Sequence, residues 1–282
     1  MPRVPGVATL FDGVNAGLSF SAVHNSSVGW YTVLTPAVSY TFSRHYSGDA
    51  SASVYLHRMI ENQDPATASA QPFVVDNASA GDTLFGFHAT FLPESLLDTI
   101  SAYVTAPTGD QSAGLGTGKV TFDFTNHVEH YQRQFGMLLD LGVGNSSNVF
   151  NNLVNRNYSS FGGLAEFQSG TILWLPRRTY FESVAYEQLP IGSQTVYSSV
   201  APPGSSSPPS AAGTSFAEDN GFITYAGIPL ADHFTLSGYY NRSLRRRSDT
   251  VSFSLTWVLR SSGDRKHLSM IDKAIREAEK GP

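Results

Sequence analysis

The sequence contains no cysteine, few charged residues and no long apolar run. The absence of cysteine among 282 residues excludes disulfide bonds and thiolate chemistry. No run of about 18 or more apolar residues occurs, which excludes a membrane-spanning helix but allows spanning strands of about ten residues. Charged residues make up only 15% of the chain, and its net charge of −5 argues against nucleic acid as a partner.

About a dozen segments alternate apolar residues with small polar residues. Near the C-terminus, Val251, Phe253 and Leu255 alternate with Ser252 and Ser254. Successive side chains of a strand point to opposite faces, so each segment has one apolar and one polar face. The polar faces carry mainly Ser, Thr, Gly, Asn and Tyr, whereas a soluble sandwich would carry charged residues there. The pattern therefore favours a narrow transmembrane barrel over a soluble β protein.

The gaps between these segments alternate between short and long. We predict strands at 13–23, 31–43, 49–59, 83–92, 98–106, 119–128, 134–143, 161–173, 179–188, 221–228, 234–243 and 249–259. Tight connections follow the even-numbered strands and several long ones follow the odd-numbered strands, as in bacterial barrels with short periplasmic turns. Because 161–173 and 179–188 alternate weakly, counts of ten or fourteen strands stay open. Pro36 lies inside the second strand and predicts irregular pairing there.

The predicted fold class is all-β: a transmembrane antiparallel up-and-down β-barrel of about twelve strands with a short C-terminal helix. Residues 1–12 form an N-terminal lead, 13–260 the barrel and 261–282 an amphipathic tail. In the tail, Leu268, Ile271 and Ile275 form an apolar stripe, although a frayed solvated helix fits equally well. We expect a bacterial outer-membrane location. Residues 1–10 lack the apolar core of an export signal, so we expect that signal to have been removed or the start to be truncated.

Aromatic residues near the strand ends predict two interfacial girdles. Four lie at the predicted periplasmic ends: Phe42, Phe91, Trp174 and Trp257. Four others are candidates for the external girdle: Trp30, Tyr31, Tyr103 and Tyr240.

Ionisable and tyrosine side chains at inward positions are candidates for a constriction in the lumen. The candidates are Tyr55, His57, His88, Tyr103, Asp123, Asp140, Glu166 and Tyr239. Charge inside a barrel is tolerated only where it is hydrated or paired, so such groups select solutes or fill the lumen with hydrogen bonds. The histidines lack metal-ligand spacing, and we expect neither a metal nor a cofactor.

The segment 104–124 contains a glycine-rich turn. It is no phosphate-binding loop, since Ala113 stands where the first glycine is required and Val120 follows Lys119. We predict a tight turn at the barrel rim, formed by Pro107, Thr108, Gly109, Asp110, Gly114, Gly116 and Gly118. These residues resemble the hallmark motif of the outer-membrane transporters named for the meta-cleavage pathway of phenol degradation. The resemblance implies a barrel that passes hydrophobic or aromatic small molecules.

Three consecutive arginines, Arg245, Arg246 and Arg247, lie in the last external loop. They are candidates for contact with lipopolysaccharide phosphates, and a solvated loop is the alternative. The order His24, Asn25, Ser26 resembles that of outer-membrane phospholipases, but no supporting asparagine motif follows and we expect no catalysis.

The partners that we expect are outer-membrane lipid, lipopolysaccharide and a small-molecule solute. Our hypothesis is an outer-membrane channel for passive passage of small molecules. The alternative is a structural or adhesive barrel with an occluded lumen and functional external loops.

Overall fold

Each of the twelve alternating segments overlaps a β-strand of the computed structural model. The structure describes residues 13–43, 45–60, 73–75, 78–91, 96–110, 115–116, 118–146, 158–198, 210–212 and 217–259. The barrel strands are β1 (Gly13–Asn25), β2 (Gly29–Thr41), β3 (Tyr46–Ile60), β5 (Ser79–Phe91), β6 (Leu96–Ala106), β7 (Thr121–Gln132), β8 (Phe135–Ser146), β9 (Tyr158–Trp174), β10 (Tyr180–Ser198), β12 (Asp219–Ala231), β13 (Phe234–Ser243) and β14 (Ser248–Leu259). Two short strands, β4 (Phe73–Val75) and β11 (Ser210–Ala212), pair with β3 and β10.

The barrel strands pair antiparallel with their neighbours in the chain, and β14 pairs with β1 to close the cylinder. The prediction of about twelve strands in an up-and-down barrel is confirmed. Closure leaves no barrel strand with an unpaired edge, which is the condition for β structure inside a bilayer.

The two ends of the barrel differ as the spacing of the segments predicts. Connections after β2, β5, β7, β9 and β12 are short and share one end, called here the turn end, with the start of β1 and the end of β14. The opposite end, called the loop end, carries the connection between β3 and β5, the glycine-rich segment and the connection between β10 and β12.

The outer surface of the barrel is mainly apolar, and the inner surface is mainly polar. Along β14, Phe253 and Leu255 are 64% and 43% exposed, whereas Ser252 and Ser254 are buried. This arrangement inverts that of a soluble protein and presents a hydrocarbon-compatible band to the surroundings. No helix among the described residues is long and apolar enough to cross a membrane.

Pro36 has the predicted effect on pairing. The ladder between β2 and β3 joins Leu34 to Val54 and Ala37 to Ser51, with no pair at Thr35 or Pro36. Proline lacks the amide donor that a ladder position requires. The predicted C-terminal helix, the tail 261–282 and the lead 1–12 lie outside the described residues.

The girdle prediction is right for some aromatic residues and wrong for others. Phe42, Phe91 and Trp257 lie at the turn end on the outer surface, and Trp30 lies at the loop end with half of its surface exposed. Three residues face the lumen instead: Trp174, Tyr31 and Tyr103. Tyr31 pairs with Val23 and Trp174 with Tyr180, and all four of these side chains are buried.

Candidate functional site

The inner face of the barrel consists of two chemically different walls. The hydroxyl wall, formed by β13, β14, β1 and β2, carries mainly Ser, Thr and Asn side chains. The opposite wall, called here the acidic wall, extends from β3 through β12. Strand register places seven carboxylates on it: Asp49, Asp123, Glu129, Asp140, Glu166, Glu182 and Asp219.

A histidine joins two of these carboxylates. His127 Nδ1 lies 2.7 Å from Asp140 Oδ1, and its Nε2 lies 2.7 Å from Glu129 Oε1. The other oxygen of Glu129 accepts a hydrogen bond from the Tyr131 hydroxyl. Because both ends of the imidazole meet a carboxylate, the ring is held rigidly across the inner faces of β7 and β8.

A second histidine cluster spans β3, β5 and β6. His88 Nε2 contacts the carboxylate of Asp49, and its Nδ1 lies 2.9 Å from Ser101 Oγ. Gly86 makes this contact possible, since a Cβ there would lie 2.7 Å from Asp49 Oδ2 and 2.8 Å from His88 Nε2. The missing side chain therefore leaves space for an ionisable cluster on the lumen wall.

Aromatic side chains crowd the lumen at the turn end. Trp174 and Tyr180 have ring centroids 5.2 Å apart, and Tyr180 stacks on Tyr225 at 5.4 Å. Ile172 and Tyr239 complete this buried aromatic cluster, with Tyr131 and Ile223 packed against it. Glu182 is paired in register with Tyr225 across β10 and β12, so a carboxylate borders the aromatic faces.

The glycine-rich segment enters the barrel at the loop end. Leu115 is 6% exposed and packs in a cluster with Val23, Tyr31, Val33 and Tyr55, which all belong to the inner faces of β1, β2 and β3. Because Leu115 follows β6 in the chain, its contact with β1 to β3 brings the segment over the lumen. The predicted rim turn is therefore an inward-folded loop.

Asp82 anchors this inward-folded loop. The Gly109 amide donates to Asp82 Oδ1 at 2.8 Å, and the Thr108 hydroxyl accepts from the Thr83 amide at 2.9 Å. A Cβ on Gly116 would lie 2.6 Å from Asp82 Oδ1, and one on Gly109 would lie 2.8 Å from the same atom. A side chain at Gly116 would displace the Asp82 carboxylate, and one at Gly109 would also meet the Leu115 carbonyl oxygen at 2.5 Å.

Seven of the eight predicted lumen residues face inward. Tyr55, His88, Tyr103, Asp123, Asp140, Glu166 and Tyr239 all lie on inner faces by register. His57 does not, because a bulge between Thr32 and Val33 shifts the pairing of β2 with β3. The shift pairs His57 with Thr32, on the outer face that also carries Trp30 and Leu34. Of the rim-turn residues, Gly114 lies outside the described residues.

Several lumen residues were absent from the prediction. His127 and Glu129 on β7 and Glu182 on β10 occupy every-second positions between outward-facing residues. The alternation of the strand is therefore enough to predict that they face inward. Arg58 could not be found this way, because it follows the bulge that reverses parity along β3.

The arginine cluster of the last loop is partly engaged within the protein. Arg245 forms an ion pair with Glu218, and Arg246 donates to the Glu218 carbonyl oxygen at 3.3 Å. A role for Arg245, Arg246 and Arg247 in lipopolysaccharide contact stays a prediction. Among the described residues, no group of three or more His, Asp or Glu side chains has the arrangement of a metal site.

Comparison with known structures identifies the fold. An outer-membrane channel from Pseudomonas putida F1 aligns with a TM-score of 0.58 at 12% identity, covering 89% of this chain and 97% of the other. The chain has the fold of that outer-membrane barrel. The KdgM porin, solved with disordered oligogalacturonate, aligns at a TM-score of 0.40 and 8% identity over 86% of this chain and 99% of the porin. Salmonella typhi OmpF aligns with a TM-score of 0.39 at 6% identity, covering 89% of this chain and 98% of the other. No protein-family model and no curated protein matches the sequence.

Proposed function

We propose that the protein is a channel of the bacterial outer membrane for the passive passage of small molecules, without a cofactor or catalysis. One observation supports this most strongly: the described strands form a closed barrel whose outer surface is mainly apolar and whose inner surface carries seven carboxylates by strand register. Ionisable groups on an inner surface are typical of barrels that admit water and small solutes.

The resemblance of the glycine-rich segment to the phenol-degradation transporters supports hydrophobic or aromatic small molecules as cargo. The aromatic cluster at the turn end fills part of the lumen, and its buried rings pack against one another. Leu115 and its loop would then limit the rate of passage at the other end.

The His88 cluster does not favour an enzyme over a channel. Ser101, His88 and Asp49 follow the order of a nucleophile, a base and a carboxylate. However, Ser101 lies inside β6, whose backbone pairs with β5 on one side and β7 on the other. Because the backbone amides near Ser101 already bond within the sheet, they do not form an oxyanion hole beside its hydroxyl. His24 faces outward against Trp30, away from the lumen.

Single-channel conductance in planar bilayers tests the proposal. We expect measurable conductance from the wild type and a larger one from Leu115→Ser, which weakens the apolar contact that holds the loop inward. Leu244→Ser is the matched control, since Leu244 lies in a loop-end turn and is 57% exposed. If neither the wild type nor Leu115→Ser conducts, the rival function, a structural or adhesive barrel with an occluded lumen, replaces the channel.

A further inference from the structure

Two carboxylates lie on the outer surface of the barrel, among apolar side chains. Asp98 on β6 pairs in register with the exposed Phe91, and Glu187 on β10 pairs with the exposed Phe167, so both acidic side chains point away from the lumen. Asp98 lies two residues after the start of β6, at the turn end. Glu187 pairs with Asn220, the second residue of β12, and so lies near the loop end.

Neither carboxylate has a basic partner among the described residues. The side chain of Asp98 bonds to Asn126, and that of Glu187 forms no hydrogen bond or ion pair with another described residue. Arg242 is the one arginine or lysine on the outer faces of the described strands, and it is paired with Asp249. A second copy of the chain would therefore bring no unpaired cation on these faces. Because a carboxylate that faces lipid is costly, the cation must come from the surrounding membrane.

A groove of about 730 Å³ on the outer surface extends from one carboxylate to the other. It crosses the strands from β6 to β10, which at four strand spacings is roughly 19 Å. Ala165 is paired between Val143 and Leu189, and its short side chain leaves room in the groove. Asp98 and Glu187 line the two ends. The outward side chains between them are mainly apolar: Ile100, Phe124, Leu141, Val143, Phe167 and Leu189.

The hydrogen bond between Asp98 and Asn126 determines which cation fits at the turn end. Asn126 Nδ2 donates to Asp98 Oδ1 at 2.6 Å. The amide oxygen of Asn126 and the second carboxylate oxygen of Asp98 then remain as acceptors, since neither side chain has a further hydrogen bond with a described residue. A primary ammonium group presents three N–H donors, whereas a quaternary ammonium group presents none. Two acceptors side by side therefore favour a primary ammonium group.

We infer that this outer groove binds a phospholipid with a primary ammonium headgroup. The ammonium group contacts Asp98 and Asn126 at the turn end, and an acyl chain lies along the apolar side chains of the groove. Charge and apolar surface thus meet the two parts of one lipid molecule. The inference concerns the outer wall of the barrel, and it stands whether or not the lumen conducts.

The test is native mass spectrometry of the purified barrel in detergent, mixed with equal amounts of phosphatidylethanolamine and phosphatidylcholine that have the same acyl chains. We expect the ethanolamine lipid to occupy the protein roughly fivefold more than the choline lipid. Asp98→Asn should bring this ratio close to one, because it conserves shape and removes the charge. Glu187→Gln is the matched control, since it removes an outward carboxylate at the other end of the same groove and should leave the ratio unchanged.

A second pair of variants tests the apolar part of the groove. Ala165→Phe should fill the groove and lower the occupancy of both lipids. Ala185→Phe is its control, because Ala185 also faces outward, paired with the exposed Phe222, but does not line the groove. Heat-modifiable mobility on gels establishes folding of each variant.

The outcomes decide the inference separately from the proposed channel. Equal occupancy by the two lipids in the wild type, or an unchanged ratio in folded Asp98→Asn, overturns it. A ratio that falls equally in Glu187→Gln also overturns it, because the preference would then arise from the charge of the whole groove. Equal loss of lipid in Ala185→Phe contradicts the groove as the binding site. A dimer mass without bound lipid would make a second copy the occupant. Absence of conductance refutes the channel and leaves the lipid site intact.

Discussion

Substitution of Leu255 by arginine tests which face of the barrel meets the membrane. Leu255 lies on β14, pairs with Phe20 and Leu236, and is 43% exposed. It lies four residues before the last residue of the strand, Leu259. At a rise of about 3.4 Å per residue and a tilt of about 40°, that distance is roughly 10 Å along the barrel axis. In an apolar band about 25 Å tall, Leu255 therefore lies near the midplane.

An arginine at this depth should lower the free energy of unfolding by about 2–4 kcal/mol. The matched control is Leu244→Arg, at an exposed leucine in the loop-end turn between β13 and β14. There the arginine reaches the interface, and the expected cost is about 0–1 kcal/mol. The measurement is reversible guanidinium unfolding in lipid bilayers, followed by tryptophan fluorescence and by gel mobility. Equal stability of the two variants would refute the assignment of the apolar face to lipid.

Three further predictions address the loop, a turn and the serine cluster. Gly116→Ala should displace the inward loop and raise conductance, because its Cβ would collide with Asp82; Gly238→Ala, whose nearest contact would be 3.9 Å away, should not. Asn25→Ala should cost about 1–3 kcal/mol in bilayer unfolding, since buried Asn25 accepts from two turn amides at 2.8 and 3.0 Å and donates to Thr250. A fluorophosphonate probe should not label Ser101, and labelling lost in Ser101→Ala would show a hydrolase.

Sequence alone predicts the barrel because its signal is repeated. A wrong boundary in one strand changes neither the period of two nor the alternation of short and long gaps, so the predicted strand number and up-and-down order both match the structure. The face on which an individual side chain lies is predicted less well. The prediction for His57 is wrong because one extra residue in β3 exchanges the inner and outer faces beyond it, and no residue type at that point indicates a bulge.

The inward loop could not be predicted for a different reason. Gly109 and Gly116 have the same sequence signal whether the turn leans out or in, since glycine permits both. The direction depends on long-range contacts: Asp82 on β5 holds the backbone, and Leu115 reaches the inner faces of β1 to β3. Neither contact can be predicted from the composition of the loop itself.

The composition of the hydroxyl wall also explains how the barrel closes and why charge lies opposite. Side chains hydrogen-bond across the seam between β1 and β14: Ser21 with Ser254 at 2.7 Å, Asn25 with Thr250 at 2.7 Å and Thr256 with Ser19 at 3.1 Å. These short side chains add hydrogen bonds to the backbone ladder between β1 and β14, the first and last strands of the barrel. A carboxylate in this row would face an uncharged hydroxyl and remain without a cationic partner. Closure therefore favours small neutral residues along the seam, and among the described residues the inward carboxylates and histidines lie on the wall across from it.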